Sequence, residues 1–318
     1  MIDDVRYAIS NRIQFVDIHV IGYPVEGESI ILFLRDDKEN IVYTMVIDSF
    51  KKGKTNRTID ILKSHKVDKV NLLIWSHTDY DHSFGLLEIL DHYIKENSVV
   101  LIPHSIFDRK GALTKYSKSV VDKLKDLLAS DVQIEMVAEQ KFSVFFNNAV
   151  SEEQIELSVT TLLPNSKHLL MKSTKNSTYC NDYSIACNVQ INSTFNYFFA
   201  GDIIDEAILR IQKNIFPKSL SFLKIPHHGS ITSTELIDLF DKKIKIPISC
   251  STNYTKQRLP MNEVLEQYST ISKKVHITGK NDKDLNTDSY GEWYYRYNLV
   301  DMEPIKAQKQ GNALEFVV

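Results

Sequence analysis

The hexapeptide His77-Thr78-Asp79-Tyr80-Asp81-His82 packs two imidazoles and two carboxylates into one short turn. Crowded together without a cation, such groups repel one another and stay hydrated; around a divalent ion they become ligands. The residue types and their spacing therefore point to metal binding. Three further segments end apolar runs on potential ligands. Met45-Val46-Ile47 ends on Asp48. Tyr197-Phe198-Phe199-Ala200-Gly201 ends on Asp202, where the glycine permits close backbone approach. Leu223-Lys224-Ile225-Pro226 ends on the pair His227-His228. Each has a plainer alternative: Asp48 opening a turn, Asp202 capping a helix, the histidines split between one buried and one exposed ring. The chemical reading takes Asp202 as a bridging carboxylate and Asp48 as a group that orients a ligand from behind. It expects only one of His227 and His228 to face an ion, because neighbours on an extended chain point in opposite directions.

These groups need strand ends to position them. Val70-Asn71-Leu72-Leu73-Ile74-Trp75 reads as a buried strand and Ser83 to Leu90 as the start of an amphipathic helix, so the hexapeptide sits at a strand's carboxyl end. Upstream, strands are expected over residues 12–21, 27–34 and 42–48, with a turn at 36–40 and a helix from Thr58 to Lys66. The stretch from Val99 to Asn148 is hard to read beyond a strand ending at Pro103. It carries Arg109, Lys110, Lys115, Lys118, Lys123 and Lys125, either a solvated face or a basic rim that steers phosphates. Further on, strands are expected at 155–163, 184–190, 196–200, 221–225, 245–250 and 274–278. Helices are expected at 205–213, 233–240 and 261–268, and Pro247 marks its strand as an edge. With no internal repeat and no linker composition, residues 1–318 read as one domain.

Composition narrows the classes. A hydrophobic content of 43% with 25% charged residues is that of a globular enzyme, and a net charge of -3 provides no global attraction to polyanions or acidic membranes. No apolar run approaches the roughly 20 residues that span a bilayer. The amino terminus lacks the layout of a signal peptide, and Cys180, Cys187 and Cys250 suit a reducing compartment, so a cytoplasmic location is expected.

The order Asp48, His77/Asp79/Asp81/His82, Asp202, His227-His228 resembles the metallo-β-lactamase superfamily. Within it the motifs are most similar to the soluble domain of ComEC-type DNA-uptake proteins. These have H-x-D-x-D-H in place of H-x-H-x-D-H, a Pro-His-His-Gly-Ser segment (Pro226 to Ser230), and an Asn-x-x-Ser strand start, here Asn181-Asp182-Tyr183-Ser184. The resemblance runs from about Ile13 to Gly291, weakly in the middle. It implies an α/β fold, the αββα sandwich of two mixed sheets with outer helices, and two divalent ions. Most superfamily members place a histidine before the bridging aspartate. This chain offers Asn181 or Asp182 there, and its nearest histidine, His168, lies on a different segment. One ion site then becomes oxygen-rich, which brings manganese or magnesium into competition with zinc.

On that basis His77, Asp79 and Asn181 or Asp182 would hold one ion. Asp81, His82 and one of the histidine pair, with His228 the candidate, would hold the other, with Asp202 shared. Asp81 would also orient the attacking water, and His227 or Lys224 would supply a proton or stabilise charge. The implied activity is cleavage of phosphodiester bonds, with DNA as substrate. The alternatives are hydrolysis of a small substrate (a cyclic nucleotide, phosphocholine ester, thioester or lactone) and a non-catalytic module of a larger assembly with a protein partner. A freestanding relative without the ComEC channel would serve antiphage defence or nucleic-acid turnover rather than DNA import.

Overall fold

Lys141–Asn148 turns Phe142, Val144 and Phe146 inward and their neighbours outward, the pattern of a strand covered on one face, whereas interior strands such as Glu28–Asp36 and Phe195–Phe199 are buried throughout. The computed structural model describes residues 5–104, 106, 113–174, 180–241, 243–280 and 290–317. In its first half β1 (Val5–Ile9), β2 (Ile13–Gly22), β3 (Glu28–Asp36) and β4 (Ile41–Ile47) precede α1 (Arg57–Ser64), β5 (Leu72–Ile74), α2 (Tyr80–Ser83) and α3 (Leu86–His92). Then come β6 (Val99–Pro103), α4 (Lys115–Leu127) and β7 (Gln133–Val137). The second half holds β8 (Lys141–Asn148), β9 (Gln154–Leu163), α5 (Ser166–Thr174), β10 (Ala186–Ile191), β11 (Phe195–Phe199), α6 (Asp205–Ile208) and β12 (Phe222–Lys224). It ends with β13 (Ile246–Ser251), α7 (Asn262–Ser269), β14 (Ser272–Ile277), β15 (Gly291–Asn298), β16 (Pro304–Gly311) and β17 (Leu314–Phe316).

The strands form two sheets, β16-β15-β2-β3-β4-β5-β6-β7 and β1-β8-β9-β10-β11-β12-β13-β14-β17. Both are mixed, and both repeat one plan. Antiparallel strands come first (β2 to β4; β8 to β11), and parallel crossovers follow (β4 to β7; β11 to β14). Within a strand, alternate side chains serve different layers. Leu72 and Ile74 enter the core between the sheets, as do Tyr197 and Phe199. Leu73 instead meets Leu62, Leu90 and Leu124 of α1, α3 and α4, while Phe198 joins the outer layer that holds Val264 and Leu265 of α7. The result is the expected αββα sandwich, two mixed sheets with outer helices, consistent with a metallo-β-lactamase-like fold. Among the described residues no helix is long and apolar enough to cross a membrane.

Several local expectations are corrected. The strand containing Pro247 is interior, between β12 and β14. It tolerates proline because Phe222 pairs with Ile248, so β12 begins one residue beyond Pro247 and makes no demand on the missing N–H. The helix expected at 205–213 stops after Asp205–Ile208; its N-cap is Ile204, which has no side-chain oxygen to start it. Residues 233–240 form 3-10 turns, Ile231–Ser233 and Glu235–Leu239, in a stretch where β-branched Ile231, Thr232 and Thr234 weaken a regular helix. The edge and closing strands β1, β7, β8, β15, β16 and β17 were not anticipated. Of the basic run, Arg109 and Lys110 lie outside the described residues.

Candidate metal centre

The acidic and histidine groups expected at strand ends lie together at one end of the sandwich. Asp48 follows β4, the hexapeptide follows β5, Asp202 follows β11 and the histidine pair follows β12. Backbone hydrogen bonds stitch these loops together: Asp48 N–H donates to the Ile74 carbonyl, Ile185 N–H to Ser76, and His227 N–H to Gly201. Gly201 has a positive φ of 54°, and a Cβ there would lie 2.6 Å from Ser184 Oγ. That same hydroxyl accepts the Asp202 amide at 2.9 Å, so the glycine is needed to aim the carboxylate.

Three imidazoles converge on one oxygen, Asp202 Oδ2. Its distances to Nε2 are 3.8 Å for His77, 3.5 Å for His82 and 3.4 Å for His228. Asp79 Oδ2 lies 3.6 Å from His77 Nε2, on the more open side. Asp81 Oδ2 lies 3.6 Å from His82 Nε2 and 3.1 Å from His228 Nε2. Most of these gaps are too wide for hydrogen bonds. Two ligands of one tetrahedral ion, each bound at 2.0–2.1 Å, stand about 3.4 Å apart. Moreover, His77 Nε2, His82 Nε2 and Asp202 Oδ1 are buried and lack any hydrogen-bond partner, a costly arrangement that a cation relieves.

The opposite ring nitrogens are all tied down. Ser76 Oγ donates to Asp48 Oδ2 at 2.5 Å, so it accepts from His77 Nδ1 at 2.9 Å. His82 Nδ1 donates to the same carboxylate at 2.8 Å. His228 Nδ1 donates at 2.9 Å to Thr252 Oγ1, which in turn donates to Glu28 Oε2. With every Nδ1 protonated, every Nε2 presents its lone pair to the centre. Asp48 and Glu28 are thus the buried bases that set the tautomers, and Lys224 Nζ neutralises Glu28 at 2.8 Å.

Glu28 was not singled out from the sequence, where it is the second residue of the strand expected over 27–34. Glu28, His82, Asp202 and His228 each offer an atom within 4.8 Å of the others and could hold an ion. Glu28, however, approaches the rings from the Nδ1 side, 3.9 Å from His82 and 3.5 Å from His228, and its carboxylate already accepts from Lys224 and Thr252.

The electrostatics report a strongly negative hollow. Burial opposes charge on His82 and His228, yet the surrounding carboxylates, Asp202 foremost, outweigh it. They lift His82 well above the ordinary histidine range and His228 to about 9. Burial would raise the carboxyl of Asp202, but the imidazoles of His228 and His82 hold it far below the usual range. Asp79 is brought to about 2 against its burial, chiefly by His77. Glu28, also opposed by burial, is held at about 2 chiefly by Lys224. In the absence of ions, protons on imidazole supply the positive charge that this hollow demands.

The two histidines after Pro226 are not on extended chain. Both take left-handed backbone, φ 48° and 52°, strain of about 1–3 kcal/mol each that the surrounding contacts must offset. His228 reaches the carboxylates, whereas His227 Nε2 meets Asn181 Nδ2 at 3.2 Å and its Nδ1 meets Thr232 Oγ1 at 2.9 Å. Burial keeps His227 below the ordinary histidine range. Asn181 Oδ1 is buried with no partner. Asp182, by contrast, turns its carboxylate to Lys172 at 2.8 Å. The structure therefore gathers His77, Asp79, Asp81, His82, Asp202 and His228, with Asp48 behind them and Asn181 and His227 at the margin. It does not bring Asp182 or Lys224 to the open side.

No family model matches the chain, and no curated protein matches it. Among solved structures, one described as a new diphosphatase from the PhnP family is similar, with a TM-score of 0.38 and 10% sequence identity, covering 74% of this chain and 85% of that one.

Proposed function

We propose that this chain is a dinuclear metal-dependent phosphodiesterase of the metallo-β-lactamase superfamily, with DNA as its substrate. The observation that carries the metal assignment is the convergence of three imidazole Nε2 atoms on Asp202 Oδ2, each at ligand–ligand spacing and each ring fixed from behind. Charge argues for two ions rather than one. With neutral imidazoles, the carboxylates of Glu28, Asp48, Asp79, Asp81 and Asp202 and the ammonium of Lys224 leave four negative charges in and behind the hollow, which two divalent ions cancel.

His77, Asp79 and Asn181, through its open Oδ1, would hold one ion. Asp81, His82 and His228 would hold the other, and Asp202 would serve both. The first set is mostly oxygen, which favours manganese or magnesium over zinc relative to an all-histidine site. A pair of such ions supplies an ionised water and a clamp on the non-bridging oxygens of a phosphodiester. The chain's own residues do the rest. Asp81 orients the attacking water. His227, neutral and anchored to Thr232 through Nδ1, would take up at Nε2 the proton released by the attacking water and pass it on to a leaving oxygen. Lys224, sealed against Glu28, stabilises the site's framework instead of meeting substrate.

Incubating manganese- or zinc-loaded protein with linear DNA, plasmid, RNA and cyclic nucleotides tests this reading. Cleavage of polynucleotide phosphodiesters is expected. Hydrolysis confined to a thioester, lactone or other non-phosphate ester would overturn it.

A further inference from the structure

Tyr80 stands between Asp79 and Asp81 in the sequence, so its ring starts at the edge of the metal centre. It stacks on Phe84 with centroids 4.8 Å apart at 30°, and Tyr116 lies 5.1 Å from Tyr80 and 4.6 Å from Phe84. Tyr116 belongs to the first turn of α4, which is pinned to the metal loop where Ser117 Oγ donates to the Thr78 carbonyl at 2.5 Å. Simple packing of α2 against α4 would bury that ring, yet Tyr116 is 40% exposed. Lys115 and Lys118 flank it, both exposed and without a carboxylate partner among the described residues. Lys123, farther along, is engaged by Asp91 at 2.6 Å. On the histidine side, half-buried Tyr254 sits 5.2 Å from the His228 ring. Its loop is fastened to residues 23–24 by Asn253 and Thr255.

Aromatic faces beside uncommitted lysines are the elements with which proteins hold unpaired nucleotides: the rings stack on bases and the ammonium groups follow the phosphates. A duplex hides its base faces within its own stack and offers such rings nothing. Resting on the phosphodiesterase reading above, we propose that Tyr80, Tyr116 and Tyr254 form a stacking platform for unpaired nucleobases beside the metal centre, so that the preferred substrate is a single-stranded polynucleotide. Lys115 and Lys118 then hold the phosphates next to the stacked base.

The test compares a short thymidine oligonucleotide with an abasic phosphodiester of the same length, using the full metal-loaded chain and the variants Tyr116→Ala and Tyr116→Phe. Stacking on one ring is worth about tenfold in affinity. Wild type should show a KM at least tenfold lower for the base-bearing strand. Tyr116→Ala should shrink that preference by about tenfold, and Tyr116→Phe should keep it. Equal KM values for the two strands in wild type, or a preference undiminished in Tyr116→Ala, would overturn the platform while leaving the phosphodiesterase reading in place. No cleavage of either strand or of duplex DNA would overturn that reading itself.

Discussion

Replacing Lys224 with methionine separates the two roles open to that residue. Its side chain is 0% exposed and Glu28 only 1%, with 2.8 Å between Nζ and Oε2. Removing the ammonium leaves a carboxylate sealed in the protein, a loss of about 3–5 kcal/mol. The titration of Glu28 points the same way: against burial, Lys224 chiefly holds its carboxyl at about 2. Because that value is depressed, the stabilisation is present above pH 4.5 and is lost as pH falls toward 2. An unfolding entropy of about 2.1 cal/mol/K per residue over 318 residues turns 3–5 kcal/mol into a fall in Tm of roughly 5–8 °C. Differential scanning calorimetry of the metal-loaded protein at pH 7.5 reads it. The double variant Lys224→Met/Glu28→Gln should recover much of the loss, since no buried charge is left unpaired. A Lys224→Met protein with unchanged Tm but a collapsed kcat would refute this reasoning and restore lysine as a proton donor.

Three further outcomes follow from the same geometry. Asp81→Ala or His82→Ala should abolish turnover while the circular-dichroism spectrum stays native, because each removes a ligand and no core side chain; activity above about one-tenth of wild type would exclude the role assigned to them. Metal affinity should rise with pH up to about 9, where His228 loses its proton in the ion-free protein, gaining up to about tenfold per unit for each proton displaced; chelator competition between pH 6 and 9.5 that gives a flat profile would contradict this. Lys115→Gln combined with Lys118→Gln should reduce the salt dependence of DNA binding by about one phosphate contact per lysine, read as the slope of log affinity against log salt; an unchanged slope would remove these side chains from the substrate path.

Much of the centre was legible because strands announce their ends. Asp48, His77, Asp202 and His228 each terminate or follow an apolar run, and a polar residue at that position stands out against its neighbours. What could not be read depends on pairing across the sandwich. Glu28 acquires meaning only from Lys224 and Thr252, which lie far along the chain, and nothing around Gly27-Glu28-Ser29 foretells their meeting. The choice between Asn181 and Asp182 was equally closed to the sequence, because it turns on Lys172 drawing one carboxylate away. His228 was expected to diverge from His227 on extended chain; instead a left-handed turn separates them. Some of what was missed was visible in principle. In β15, Trp293, Tyr295 and Tyr297 alternate inward, the same period-two signal that marks β8.

Two ions that share Asp202 would be visible in anomalous diffraction from manganese-soaked crystals. Two peaks per chain about 3.5–4 Å apart are expected, with the Asp202 carboxylate between them, Asp79 and His77 on one and Asp81, His82 and His228 on the other. A single peak, or a peak on the Nδ1 side of the histidines against Glu28, would contradict it.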